Sequence, residues 1–190
     1  MLYYYLYQQA KLANAGMTYD DVIKVPASNP IEATRAVMEG RADAAALAVG
    51  APIEAEAVAK VKARYLPMDP SPEAVKRMKA VIDAAHVVKV PGGIFIGVPE
   101  DQYLMHLDTV LVAREDISEA AIYEITKTLY DRNAEVLKRP GLMEWSVKRF
   151  LSEEPRVPFH DGAIRFYKEK GLWTKEMEDL QRDVLAEEPH

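Results

Sequence analysis

The side chains that most often do chemistry are sparse and badly spaced for it. The histidines are His86, His106, His160 and His190, and no pair has the His-x3-His or His-Glu-x-x-His spacing of a zinc site. There is no cysteine, which excludes disulfides, thiolate metal sites and cysteine nucleophiles. No Gly-x-Ser-x-Gly elbow, Walker loop or Gly-x-Gly-x-x-Gly cradle is present. No nucleophile–base or acid–base grouping stands out, so a small α/β enzyme using glutamate or histidine chemistry is disfavoured. The expectation is no catalytic residue, no metal and no cofactor.

Recognition of a small molecule is better supported. Gly50-Ala51-Pro52 follows the apolar run Ala44–Val49 just where a helix opens. Ser28-Asn29 holds the equivalent place after Val22–Val25, and Pro91-Gly92-Gly93 follows His86–Val90. Ligands of open α/β sheets bind at that edge, where helix N-termini present N–H donors to anions. Paired glycines let backbone approach a ligand closely. Each loop also has a plain reading: Asn29 as a helix cap, Pro91–Gly93 as a simple turn. If the sheet is parallel, the three loops converge.

The elements that must hold these loops alternate. Leu2–Ala15 reads as a helix stopped by Gly16, and Val22–Val25 as a strand. Asn29-Pro30-Ile31-Glu32 opens a helix to Glu39. Ala44–Val49 suits a strand buried on both faces, followed by a helix over Ile53–Lys62 and a strand at Arg64-Tyr65-Leu66. Ser71-Pro72 opens a helix to about Ala85, before the strand His86–Val90; His106 falls in a loop. This alternation predicts a doubly wound α/β sheet.

After residue 107 the pattern changes. Thr109–Ala113 reads as a buried strand, then a long helix runs from the Ser118 cap to a break at Pro140-Gly141. Helices follow over Leu142–Leu151 and Ala163–Lys170, with Thr174 capping the last. The expected division is an α/β part, 1–107, and a return strand with C-terminal helices, 108–190. The consecutive Tyr3, Tyr4 and Tyr5 point in three directions around a helix, so some are exposed or covered by something else.

Composition agrees with a folded acidic domain. The 190 residues are 49% hydrophobic, and 30 acids outnumber 24 bases for a net charge of −6. The bases form no stripe, which argues against nucleic acid or an anionic membrane as partner. No segment has the roughly 20 apolar residues of a membrane span, and the start lacks a basic region followed by a signal-peptide core.

One stretch carries a family likeness. Val157-Pro158-Phe159-His160-Asp161-Gly162-Ala163-Ile164-Arg165-Phe166-Tyr167-Lys168-Glu169-Lys170-Gly171-Leu172 resembles the C-terminal signature of TAXI receptors, the solute-capturing proteins of TRAP-type transporters. Ala15–Asp21, Met38–Ala44, Leu47–Pro52 and Val90–Gly93 match further landmarks of that family in order. The resemblance implies a type II periplasmic-binding-protein fold of two α/β lobes about a hinge, with residues 1–107 in the second lobe. It also implies extracytoplasmic capture of a small organic acid or amino acid for a TRAP membrane permease, with no reaction performed. By position, the ligand-facing residues it implies are Ser28, Gly50, Pro52, Gly92 and Gly93. Pro158, His160, Gly162 and Ala163 are expected to be structural.

The sequence departs from the family in three ways. By the resemblance, the family's leader, its first lobe segment and the Ser-Gly-Thr loop before the first helix are expected to have no counterpart in these residues, and Asp161 stands where the signature has proline. Aspartate can cap the following helix, so that change is mild. The chain is therefore expected to lack one wall of its cleft. The alternative is a receptor-derived interaction module that has lost solute binding and pairs through an open sheet edge. Where a cleft forms, backbone N–H groups of Gly50, Gly92 and Gly93 are expected to favour a carboxylate. Gly92→Val is expected to weaken binding without unfolding the protein.

Overall fold

The structure, a computed structural model, describes residues 2–139, 142, 145–152 and 154–187. They form two compact units, 1–107 and 108–190.

The first unit holds α1 (Leu2–Asn14), α2 (Pro30–Met38), α3 (Glu54–Val61), α4 (Pro72–Lys79), β1 (His86–Val90) and β2 (Gln102–His106). Its helices start where their caps dictate. The Asn29 side chain accepts from the Glu32 N–H, the Ser71 hydroxyl from that of Ala74, and both helices have proline at the first turn. Helix α4 is shorter than its periodicity predicts, giving way to a turn over 80–85.

The sheet differs most from expectation. Among the described residues it is one antiparallel pair, β1 with β2, in register His86↔His106 to Val90↔Gln102. No parallel doubly wound sheet is formed among the described residues. Val22–Val25, Ala44–Val49 and Arg64–Leu66 belong to no strand, whereas His106, expected in a loop, ends β2. A parallel ladder needs partners brought together by crossovers, while β1 and β2 are joined by the short 91–101 connection. Local apolarity specified the segments but not their partners: Ile23 is 94% exposed. Arg64–Leu66 comes nearest to a strand, with Tyr65 donating to the Gly97 carbonyl at 3.0 Å and Met68 to that of Tyr103 at 2.8 Å.

Two apolar clusters support this unit. Ala10, Met68, Met78, Ala85 and Met105 gather Tyr7, Val75, Ile82 and Val87 about them. Met38, Ile53 and Ala57 tie α2 to α3. Asn14 locks the first cluster: its buried amide donates to the Asp69 carbonyl and accepts from the Asp69 N–H, both at 2.9 Å. Arg77 reaches the carbonyls of Ala13 and Asn14 at the end of α1, the first of which also accepts from the Gly16 N–H. Tyr7 joins the cluster, while Tyr4 and Tyr5 remain about half exposed and Tyr5 stacks on Tyr19 at 4.4 Å.

Lys11 is held against the Tyr7 ring at 4.4 Å, and burial lowers its pKa to about 8. The charged form is thus disfavoured in the folded chain. Between pH 8 and 10.5 the unfolded chain keeps a proton that the folded one releases, so stability rises with pH across that window. Chemical denaturation at about pH 7.5 and about pH 10 should show this gain in the unaltered chain and its loss in Lys11→Met. An equal pH response in both would overturn the assignment.

The second unit is helical: α5 (Glu119–Asp131), α6 (Asn133–Val136), α7 (Asp161–Glu169) and α8 (Lys175–Glu187). The expected strand Thr109–Ala113 is absent, and Val110, Leu111 and Val112 are 55%, 63% and 68% exposed. Of the predicted helix Leu142–Leu151, the described part has one short turn at Val147–Arg149. The break expected at Pro140-Gly141 lies outside the described residues, as does His190.

The signature segment builds the core of this unit. Phe166 is 1% exposed, with the rings of Tyr130 and Tyr123 edge-on at 5.3 and 5.8 Å. His160, not Asp161, caps α7: its Nδ1 accepts from the Gly162 N–H at 3.1 Å. With that nitrogen accepting, Nε2 carries the proton and donates to the Ile117 carbonyl at 3.0 Å. Asp161 instead takes the first helical position, where its charge suits the helix dipole. Phe159 is fixed by Gln181, which bonds both its N–H and its carbonyl.

Candidate functional site

Each of the three loops ends in a donor that the chain itself has used. The Ser28 N–H donates to Glu32 Oε2 at 2.8 Å, and the Ser28 hydroxyl donates to the same oxygen. Those two bonds, the hydroxyl's first, hold the Glu32 carboxyl below its ordinary pKa. The bonds Ser28 makes stay within residues 28–32.

The second loop repeats the pattern four residues apart. Gly50, at φ +82°, donates its N–H to Glu54 Oε2 at 2.9 Å. Glu54 is only 5% exposed, and its other oxygen, Oε1, is buried without a hydrogen-bond partner. Beside it the Tyr65 hydroxyl donates to the Ala48 carbonyl at 3.1 Å. Burial first, then the neighbouring Glu54 charge and a hydrogen bond with that carboxylate, push the Tyr65 pKa well above that of a free phenol. Pro52 stands exposed on the outer side of the loop.

In the third loop the Gly92 N–H donates to Asp101 Oδ1 at 3.0 Å, and Asp101 also pairs with Lys89 at 2.9 Å. The Gly92 bond, then Lys89, depress the Asp101 carboxyl. Gly93, at φ +81°, donates to the Val98 carbonyl at 2.8 Å. Gly92 has a further constraint. A Cβ there would lie 2.5 Å from the Glu100 Cα and 2.7 Å from its carbonyl carbon, so two stretches of backbone touch.

A cavity of about 360 Å³ opens between the 64–67 segment and the 99–103 stretch, lined in part by Arg64, Tyr65, Asp101, Gln102 and Tyr103. The Gln102 amide nitrogen is buried without a partner. None of the five residues expected at the ligand lines this cavity. Tyr65 and Asp101 link it to their loops, since Tyr65 bonds Ala48 and Asp101 bonds Gly92.

The structure therefore places Gly50 with Glu54 and Tyr65, and Gly92 with Asp101, while Gly93 bonds Val98. Sequence reasoning missed Glu54, Tyr65, Asp101 and Gln102. One signal was available: Glu54 follows Gly50 at the offset by which Glu32 follows Ser28. Among the described residues no three His, Cys, Asp or Glu side chains are placed to hold a metal ion.

The sequence model of the NMT1-like family, whose members are periplasmic-binding-protein-like, matches residues 7–171. No curated protein matches the chain.

Proposed function

The chain belongs to the NMT1-like family, a family of binding proteins rather than enzymes, and on that premise we propose that it is an extracytoplasmic receptor for a small solute. The observation that carries this reading is the extent of the match, from α1 through α7. Such families are typically extracytoplasmic, and no helix among the described residues is long and apolar enough to cross a membrane. The finer assignment follows the TAXI-like motifs: a type II two-lobed receptor that delivers a carboxylate or amino acid to a TRAP permease in the periplasm. Residues 1–107 belong to its second lobe, and 108–190 to the hinge and first lobe. Ser28, Gly50, Pro52, Gly92 and Gly93 form the solute-facing edge. What supports that edge is that Ser28, Pro52 and Gly93 are exposed in three loops that each follow an apolar segment.

The test is a thermal-shift screen of the chain against organic acids and amino acids, with its mass in solution. A ligand that binds the folded form raises the melting temperature through about 2.7 kcal/mol of stabilisation at a hundredfold excess over Kd. A shift confined to one solute class is the expected outcome.

A second reading has its own support. Ile23, Val110, Leu111 and Val112 are exposed apolar residues outside any described ladder, as a module that pairs by strand addition would offer. No shift in the screen, together with a dimeric or larger mass, would favour it over the receptor.

A further inference from the structure

Strand register brings together two side chains that no local spacing could pair. His86 opens β1, His106 ends β2, and the antiparallel ladder sets them directly opposite one another. Val87 and Met105, the next pair along, face the first apolar cluster. Successive side chains alternate between faces, so His86 and His106 share the other face with Val88 and Leu104. Both histidines are half-buried.

Directly opposite residues have Cβ atoms about 4.5–5.5 Å apart. Two imidazoles on one tetrahedral ion need nitrogens about 3.3 Å apart, each about 2.0–2.1 Å from the metal. Rings on Cβ atoms that close can present nitrogens at that separation by choice of χ1 and χ2. Each histidine also has an interaction of its own within the chain. A ligating imidazole uses one ring nitrogen and is normally steadied through the other, so the two demands are compatible. Among the described residues no cluster of three His, Cys, Asp or Glu forms, which leaves the remaining coordination positions to water. The pair also lies at the end of the ladder away from the 91–101 connection, whose own end is tied by the Gly92–Asp101 bond. A two-stranded pair is marginal by itself, and a bridge at its open end would hold both strands.

We propose that His86 and His106 form a two-histidine site for a divalent ion of the late first transition row, Zn²⁺, Ni²⁺ or Cu²⁺, which clamps β1 to β2. Imidazole suits these ions, whereas Mg²⁺ and Ca²⁺ take oxygen ligands. With water in the open positions the ion is exchangeable, and Cu²⁺ binds more tightly than Zn²⁺. The assignment is independent of the receptor reading.

The experiment is titration of the 190-residue chain with zinc chloride at about pH 7.5, above the ordinary imidazole pKa, followed by calorimetry and by the imidazole C–H resonances. We expect one Zn²⁺ per chain, with the His86 and His106 resonances moving together. Those of His160 should stay still, since both its ring nitrogens are engaged. In separate titrations Cu²⁺ should bind more tightly than Zn²⁺, and Mg²⁺ should not bind. His86→Ala and His106→Ala should each weaken Zn²⁺ binding at least about tenfold, because loss of a merely supporting partner already costs that much. The double variant should lose little more than either single one, as a shared chelate requires. The resonances are read on the unaltered chain, so the outcome does not depend on the variants folding. Movement of one histidine alone, Mg²⁺ binding as tight as Zn²⁺, or no saturable Zn²⁺ binding would overturn the site. So would an affinity unchanged in both single variants.

Discussion

Gly162→Ala should destabilise the 108–190 unit by about 3 kcal/mol, the upper range for forcing atoms into a packed contact. Gly162 sits in the first turn of α7, at an ordinary helical φ, so alanine would by propensity alone gain about 1 kcal/mol there. Contact geometry reverses the sign. The added Cβ would lie 2.2 Å from the Glu119 carbonyl oxygen, 2.8 Å from the Tyr123 nitrogen and 3.0 Å from the Ile122 Cβ. Two of those atoms are α5 backbone, so no rotamer change relieves the collision and the helices must separate. Separation would loosen Phe166 from Tyr123 and would disturb the His160 cap. Hydrogen exchange in α5 and α7 reads the effect directly. Protection equal to or greater than that of the unaltered chain would show that the helices do not meet this closely.

Gly92→Val should cost a similar amount, about 3 kcal/mol, through its effect on the β1–β2 connection. The sequence suggested that this change would weaken binding while leaving the fold intact. The structure replaces that expectation. A side chain at 92 would enter the Glu100 backbone at 2.5 Å and break the Gly92–Asp101 bond that closes the 91–101 connection. Gly93 provides the control. A Cβ there meets nothing within 4 Å, so Gly93→Ala carries only the strain of φ +81°, about 1 kcal/mol. Urea denaturation of the two variants should therefore rank Gly92→Val well below Gly93→Ala. A reversed order would mean that the close approach at Gly92 is not formed.

Most helices were legible because a helix is specified by its own residues. Asn29-Pro30 and Ser71-Pro72 marked two starts, Ser118 and Thr174 marked two more, and each side chain makes its cap bond. The tight seat of the signature segment was foreseeable in kind, as Gly162 and His160 were read as structural. Their partners were not, because Glu119, Tyr123 and Ile117 lie about forty residues away in sequence. Strands failed for the same reason. Val22–Val25 and Thr109–Ala113 have strand composition, but a strand exists only where a second segment accepts its hydrogen bonds. Gln102–His106, with no β-branched residue, became β2 because the turn after β1 brings it back antiparallel.

At the candidate site the division is similar. Sequence alone determined the loops, their glycines and the family to which they point, since these are local patterns in a fixed order. Only tertiary structure decided what the loops can offer a solute. Whether a backbone N–H is free depends on which side chain reaches it, and Glu32, Glu54 and Asp101 reach three of them. Burial then distinguishes the three acids. Glu32 and Asp101 are exposed, whereas Glu54 is closed off with one oxygen unmatched. Desolvation makes that unmatched oxygen consequential, and it arises from packing that no single stretch of sequence contains.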